Sequence, residues 1–364
     1  MTDRQLDRAT PRLAAIDVVR GFVMVVMTLD HASSSFNAGR IMYDSAATAH
    51  AGLALDPLQF LVRWVTHLCA PTFVLLSGTS LALSVTRRRA AGIPSAAIDR
   101  DILIRGALLI VIDVVWMGWV WRLGLPIQLG VLYAIGMSMI GMIALRRLPA
   151  AVVGALGLAV MVGGEALTGQ LDPQQVVVTA TLAGGMLCQV QVLYAFLPWT
   201  GFMMVGWALG VRLAGAGMRA RDWAGLAALA ALTFVIVRGA NGYGNAHLLR
   251  GGDSWIDWLH VSKYPPSLSY AALELAIAFA LLAATWRWAT PWRPLVVLGQ
   301  TALFFYVPHV HLLKLGALVF GGYKSQGLAV TVVAWLAVLA ALYPLSRWYL
   351  GVKRRHPDSV LRFL

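Results

Sequence analysis

Residues 58–89 read LQFLVRWVTHLCAPTFVLLSGTSLALSVTRRR, an apolar run that three consecutive arginines close. A helix rises about 1.5 Å per residue, so about 20 apolar residues cross the hydrocarbon core of a bilayer. Residues 58–85 are long enough to do so. The whole chain shares this character, since 59% of its 364 residues are hydrophobic and only 12% are charged. Such a composition predicts an integral membrane protein and excludes a soluble enzyme, a disulfide-stapled secreted scaffold and a disordered chain.

Continuous apolar runs recur along the chain and indicate an all-α, polytopic helical membrane protein. The alternation over about ten residues that is typical of barrel strands is not seen. We expect one transmembrane domain over residues 1–364 with about ten spans. These are approximately 13–36, 58–85, 100–121, 126–145, 149–168, 193–214, 222–239, 266–286, 294–317 and 327–349. The Gln-rich stretch 172–192 is too polar to span, and we expect a loop or a re-entrant segment there.

The formal net charge of +13 is explained by topology. About two-thirds of the lysines and arginines fall in segments that share one side of the membrane if both termini are cytoplasmic. This asymmetry follows the positive-inside rule, so no nucleic-acid partner is predicted. Cys69 and Cys188 lie in apolar surroundings and indicate neither a disulfide framework nor a zinc site.

Ionisable side chains inside predicted spans are candidate functional residues, because a charge at the bilayer centre costs about 2.5–3.5 kcal/mol. The outer half of the predicted bundle collects Asp30, His31, His67 and His309. Histidine exchanges protons near neutral pH, so these side chains are predicted to be catalytic. The alternative for each histidine is a hydrogen-bonded core residue. His309 and His311 point about 200° apart on a helix, so no metal site is predicted.

The cytoplasmic ends of the predicted spans carry a second group, composed of Arg20, Arg87, Arg88 and Arg105. One interpretation is topology and contact with anionic lipid headgroups. The other is an anionic ligand with several phosphates, held by guanidinium groups. Arg20 and Arg105 favour the second interpretation because they lie within spans. Asp17 is the expected partner of Arg20. Small residues at 77, 78, 80 and 84 predict either close helix packing or a narrow passage.

Four stretches carry a family resemblance, listed here with their positions: RLAAIDVVRG (12–21) with MTLDH (27–31), APTFVLLSGTS (70–80), KYPPSL (263–268) and FFYVPH (304–309). The chain resembles the catalytic domain related to heparan-alpha-glucosaminide N-acetyltransferase over about residues 12–350. More loosely, it resembles bacterial membrane acyltransferases that modify cell-surface sugars. The resemblance implies a multi-pass protein of the bacterial inner (cytoplasmic) membrane.

The resemblance also implies an activity, namely transfer of an acetyl group from cytoplasmic acetyl-CoA to a sugar or amino-sugar acceptor on the far side of the membrane. His31 matches the histidine regarded as catalytic in the sugar-modifying enzymes. In the lysosomal enzyme the catalytic histidine follows the first helix, where His50 and His67 are the alternatives. We expect the inner arginines to bind the coenzyme A phosphates. Ser77, Lys263 and Tyr306 are expected as further acetyl-CoA contacts, with Ser77, Tyr306 or His309 stabilising the oxyanion. Membrane lipids and a second copy of the chain are expected as further partners.

A different class of protein fits the same intramembrane Asp and His residues. A transporter or proton-coupled permease would use them as a relay or as a substrate site. Clear sequence repeats and paired broken helices, which are typical of transporters, are not seen.

Overall fold

The computed structural model describes residues 11–43, 45–46, 48–49, 55–118, 120, 127–172, 175–286, 292–356 and 359. Helices dominate this part of the chain. We label them α1 (Pro11–Phe36), α2 (Pro57–Val65), α3 (Cys69–Ala90), α4 (Ser95–Val111), α5 (Val131–Leu145), α6 (Ala150–Gln170), α7 (Phe196–Gly215), α8 (Ala220–Ala240), α9 (Trp255–Leu259), α10 (Leu268–Thr285), α11 (Arg293–Gln300), α12 (Ala302–Val319) and α13 (Leu328–Arg355). A 3₁₀ turn, Thr66–Leu68, joins α2 to α3, and a π-helical turn, Ile112–Met117, extends α4.

Within the described residues, six helical runs are long and apolar enough to cross a membrane. They are Pro57–Ala90, Ala150–Gln170, Ala220–Ala240, Leu268–Thr285, Ala302–Val319 and Leu328–Arg355. The protein is therefore a multi-pass helical membrane protein, as its composition predicts. Helices α1 and α4 fall outside this set, because Asp17, Arg20 and Asp30 interrupt α1 and α4 ends after 17 residues. The ten-span count and the cytoplasmic termini stay predictions.

One small three-stranded sheet accompanies the helices in the described part of the chain. Its strands are β1 (Ile127–Leu129), β2 (Gly185–Leu187) and β3 (Val190–Val192), in the order β1-β3-β2. The loop predicted for 172–192 thus holds a short helix, Val176–Val178, a π turn and a hairpin. Gly184 and Gly185 have φ of +72° and +130°, a backbone conformation that ends the helical turn and starts the hairpin. The mean hydropathy of a long window does not predict such short turns and strands.

Two predicted spans also have different bounds. The span predicted for 126–145 begins with β1, and its helix starts only at Val131. The span predicted for 294–317 is broken at Thr301 into α11 and α12. The side chain of Asp113, in the π turn after α4, accepts a hydrogen bond from the backbone N–H of Gly130 at 2.5 Å. This contact occupies one of the donors at the start of α5, so Asp113 has a structural role.

Glycines allow the central helices to approach closely. A Cβ at Gly21 of α1 would lie 1.9 Å from the carbonyl oxygen of Leu295 in α11. A Cβ at Gly206 of α7 would lie 2.0 Å from the carbonyl oxygen of Leu75 in α3. Small residues make such backbone contacts where membrane helices pack. Of the small residues in α3, Gly78 packs against Met203 of α7, whereas the serines face the opposite side, as described below.

Candidate active site

His31 of α1 and His309 of α12 form a pair. Nδ1 of His31 lies 2.6 Å from Nε2 of His309, and the two rings are stacked with centroids 4.9 Å apart. His309 is fully buried and His31 is half-buried. The helices bring together two side chains that are 278 positions apart in sequence. The structure thus joins two of the predicted catalytic residues.

The hydrogen bonds of His309 assign the protons of this pair. Nδ1 of His309 lies 3.2 Å from the carbonyl oxygen of Phe305, one turn earlier in α12. A carbonyl only accepts, so Nδ1 of His309 carries a hydrogen and, in the neutral ring, Nε2 carries a lone pair. That lone pair accepts the N–H of His31 Nδ1. The neutral form of His31 then has its basic lone pair on Nε2.

Tyr306 lies one turn before His309 and contacts both histidines. Its ring centroid is 6.1 Å from that of His31 and 5.4 Å from that of His309. Tyr306 and His309 both belong to the FFYVPH stretch of α12, and their spacing of about one turn puts them on the same face of the helix. Pro308 lies within the same helix. Tyr306 is largely buried and its side chain is part of the wall of a cavity.

The Asp30 carboxylate is bound by two arginines and a threonine. Its Oδ1 accepts hydrogen bonds from Arg40 Nη2 at 2.8 Å and from Arg63 Nη1 at 2.8 Å. The hydroxyl of Thr66 donates to the same oxygen at 2.9 Å. Asp30 therefore ties α1 to the segment after it and to α2, while His309 provides the hydrogen bond to His31. This arrangement favours a structural role for Asp30.

Two further histidines singled out by the sequence, His67 and His311, have other neighbours. His67, in the 3₁₀ turn before α3, is buried, and its ring lies 5.9 Å from that of Tyr270, whose hydroxyl donates to the carbonyl of His67. His311 faces Trp116, with ring centroids 5.4 Å apart, on another face of α12 from His309. His50 lies outside the described residues. A catalytic role for His67 stays a prediction.

A cavity of about 630 Å³ reaches Tyr306, which contacts both histidines, and is bounded by α1, α3, α4, α5 and the C-terminal helices. His31 and His309 themselves do not line it. The residues that line it are Asp17, Arg20, Met24, Met27, Phe73, Ser77, Ser80, Leu81, Ser84, Arg88, Asp101, Ile102, Arg105, Leu109, Val131, Leu132, Ile135, Met139, Gly299, Gln300, Ala302, Leu303, Tyr306 and Lys353. The volume lies in the range typical of small-molecule and cofactor sites. Ser77, Ser80 and Ser84 share one face of α3 and line this cavity. The small residues of α3 predicted either close packing or a narrow passage, and the serines lie along the passage.

One end of this cavity is cationic. Arg20 donates to Ser80 Oγ at 2.7 Å, to Asp17 Oδ1 at 3.0 Å and to the carbonyl of Gly299 at 3.3 Å. Arg88 pairs with Asp101 at 2.8 Å. Arg105 lies within electrostatic reach of Arg20. These contacts hold guanidinium groups at the cavity wall, where they can bind phosphate.

Lys353 is a cavity residue that sequence reasoning missed. It lies in the last turn of α13, and its ammonium lies within electrostatic reach of both Arg105 and Arg20. The sequence signal was the basic run at 353–355, which the positive-inside rule already explains. A basic residue that topology accounts for can still face a ligand.

Two of the predicted acetyl-CoA contacts lie elsewhere in the described structure. Arg87 is exposed at the end of α3 and is not part of the cavity wall. Lys263 is buried in the segment before α10, with Nζ 5.2 Å from the ring centroid of Tyr264. Its ammonium lies within electrostatic reach of Asp30 and His31. Their roles stay predictions.

Comparison with known proteins identifies the family. The sequence profile of the heparan-alpha-glucosaminide N-acetyltransferase catalytic domain matches residues 12–242, from α1 to just beyond α8. No curated protein matches the chain. The matched range includes His31, Arg20 and Arg105, whereas Tyr306, His309 and Lys353 lie after it. Because the profile covers more than half of the sequence, the chain belongs to the family of the heparan-alpha-glucosaminide N-acetyltransferase catalytic domain.

Proposed function

We propose that this membrane acetyltransferase takes its acetyl group from cytoplasmic acetyl-CoA and delivers it to an amine or hydroxyl of a sugar-like acceptor on the far side of the membrane. Family membership supports acetyl transfer. The proposed donor and the proposed catalytic residues rest on one observation. The cationic residues and Tyr306 line the same cavity, and the Tyr306 ring contacts the histidine pair. A single domain with ten spans, cytoplasmic termini and an inner-membrane location belongs to the same proposal.

The cationic end of the cavity suits the phosphates of coenzyme A. The lining carries more cations than anions: the cations are Arg20, Arg88, Arg105 and Lys353, and the carboxylates are Asp17 and Asp101. Guanidinium groups bind phosphate through charge-assisted hydrogen bonds. Helical rise places His31 about 16 Å from Arg20 along α1. The extended pantetheine arm can bridge that distance. Phosphates held at the arginines would therefore place the thioester near Tyr306 and the histidine pair.

His31 is the proposed general base. Its Nε2 takes the proton from the acceptor N–H or O–H as the acceptor atom forms a bond to the thioester carbonyl carbon. The carbon–sulfur bond then breaks, and the proton on His31 returns to the leaving thiolate of coenzyme A. His309 accepts the hydrogen bond of His31 Nδ1–H throughout, which holds the ring and stabilises the imidazolium. The Tyr306 hydroxyl is the proposed donor to the oxyanion.

Acetyl-CoA binding tests the donor site directly. We expect purified protein in detergent to bind acetyl-CoA by calorimetry, and we expect Arg105→Gln to weaken binding at least tenfold. Arg87→Gln is the matched control, because Arg87 is exposed outside the cavity wall, and it should bind like the native chain. Failure of the intact protein to bind acetyl-CoA would refute this function and favour a transporter.

Transfer tests the base. Protein in liposomes is supplied with radiolabelled acetyl-CoA on one side and with glucosamine on the other, and acetylglucosamine is measured. We expect His31→Ala to reduce the rate by a factor of about 100 or more while acetyl-CoA binding is retained. Unchanged transfer by His31→Ala would exclude His31 as the base.

A further inference from the structure

The cavity that reaches Tyr306 has a hydrocarbon stretch of wall on α5, formed by Val131, Leu132 and Ile135. Met27 of α1, Phe73 of α3 and Leu109 of α4 add further hydrocarbon to the lining. The serines and arginines that line the cavity belong to α1, α3 and α4. The α5 wall therefore carries none of the groups suited to the phosphates and amides of coenzyme A.

An acetyl group has a single methyl and would cover little of this wall. Each methylene that moves from water into such a setting strengthens binding by about fourfold. Val131 and Ile135 are one turn apart, about 6 Å along α5, which is roughly the length of four or five carbon–carbon bonds. Methionine side chains at 24, 27 and 139 are flexible and can adapt to chains of different length.

We propose that the α5 wall is an acyl-chain pocket and that the enzyme accepts straight-chain acyl-CoA donors of about four to six carbons in addition to acetyl-CoA. This inference rests on the proposed function, because it requires the thioester to lie beside Tyr306. Ile135 is the specificity-determining residue, since it is 7% exposed and stands one turn into the pocket. The transfer chemistry is that of acetyl, with the longer acyl carbonyl attacked by the same acceptor and coenzyme A released.

The test measures the affinity of acetyl-CoA, butyryl-CoA, hexanoyl-CoA and free coenzyme A by calorimetry on the purified chain. We expect hexanoyl-CoA to bind at least tenfold more tightly than acetyl-CoA. Ile135→Phe fills the pocket and should abolish this preference. Ile104→Phe is the matched control, because Ile104 is an exposed residue of α4 outside the cavity wall, and it should keep the native preference.

A second variant keeps the test informative if Ile135→Phe does not fold. Ile135→Ala enlarges the pocket and should increase the preference for hexanoyl-CoA. Acetyl-CoA that binds as tightly as the longer esters to the native chain would overturn the acyl pocket and leave the proposed function intact. An unchanged chain-length preference in both Ile135 variants would also overturn it. If none of the esters binds, both proposals are refuted.

Discussion

Nδ1 of His31 and Nε2 of His309 lie 2.6 Å apart, and the stacked rings belong to the first and to one of the last helices of the bundle. The carbonyl of Phe305 determines which ring nitrogen of His309 carries the hydrogen. His309 in turn determines which ring nitrogen of His31 carries the hydrogen. A base is oriented by the group on its other nitrogen, so His309 has the place of a positioning residue. The pair thus brings together two distant parts of the chain.

Substitution of His309 tests this positioning role. We expect His309→Ala to lower the transfer rate by at least tenfold, because His31 loses its hydrogen-bond acceptor. His309→Gln should recover part of the rate, since its side-chain oxygen can accept the His31 Nδ1–H. The double variant His31→Ala, His309→Ala should be no slower than His31→Ala alone, as is typical of residues that act as a unit. Effects that multiply in the double variant would show that the two histidines act independently.

Removal of one cavity cation gives a salt-dependent prediction. We expect Lys353→Gln to weaken acetyl-CoA binding by several-fold at low ionic strength and by less at high ionic strength, because salt screens charge contacts. Titration calorimetry at two salt concentrations measures this. Arg355→Gln is the control from the same basic run, since Arg355 is exposed and is not part of the cavity wall. Equal weakening by both variants would mean that net charge, and not Lys353 itself, affects binding.

Close helix contact makes Gly206 sensitive to a single methyl group. We expect Gly206→Ala to lower the thermal unfolding midpoint by several degrees, because the added Cβ meets the carbonyl oxygen of Leu75 and α3 must move. Gly141→Ala is the matched control, since a Cβ there has no atom within 4 Å among the described residues, and alanine favours a helix. Light scattering during heating in detergent measures the unfolding midpoint of both variants. A Gly206→Ala chain as stable as the native one would contradict the packing described for α3 and α7.

The ion pairs of Asp30 predict a stability defect. Asp30→Asn removes the negative charge between Arg40 and Arg63, whose side chains are only 8% and 9% exposed. Breaking a buried pair in this way costs about 3–5 kcal/mol. We expect a clear fall in the unfolding midpoint, with little change in the acetyl-CoA affinity of the folded protein.

Asp253→Asn is the control for this prediction. Asp253 pairs with Arg250 at 2.6 Å, but its side chain is 89% exposed, so the loss should be below about 1 kcal/mol. If Asp30→Asn keeps the native midpoint yet loses transfer, Asp30 takes part in the chemistry and its structural role is wrong.

Local patterns in the sequence predicted several parts of the site. Arg20 and Arg105 are unusual inside apolar runs, and both line the cavity. His31 follows the opening motif, and it lies at the site because α1 carries it there. Helix geometry also predicted that His309 and His311 point in different directions, and they do face different neighbours.

Other parts had no local signal. The partner of His31 is 278 positions away, and no spacing rule reaches that far. Lys353 belongs to a basic run that the positive-inside rule explains equally well. Asp30 is adjacent to His31 in sequence, yet its carboxylate binds Arg40 and Arg63. Such choices depend on which helices are neighbours.

The sequence by itself determined that this chain is a helical membrane protein of an acetyltransferase family, because apolar length, charge content and short motifs are properties of the chain alone. Only the tertiary structure decided that His309 lies against His31, that α5 contributes to the cavity wall and that Lys353 lines the same cavity as Arg20 and Arg105. Each of these depends on contacts between helices far apart in sequence. Backbone approach at Gly21, Gly206 and Gly299 is what allows those helices to meet.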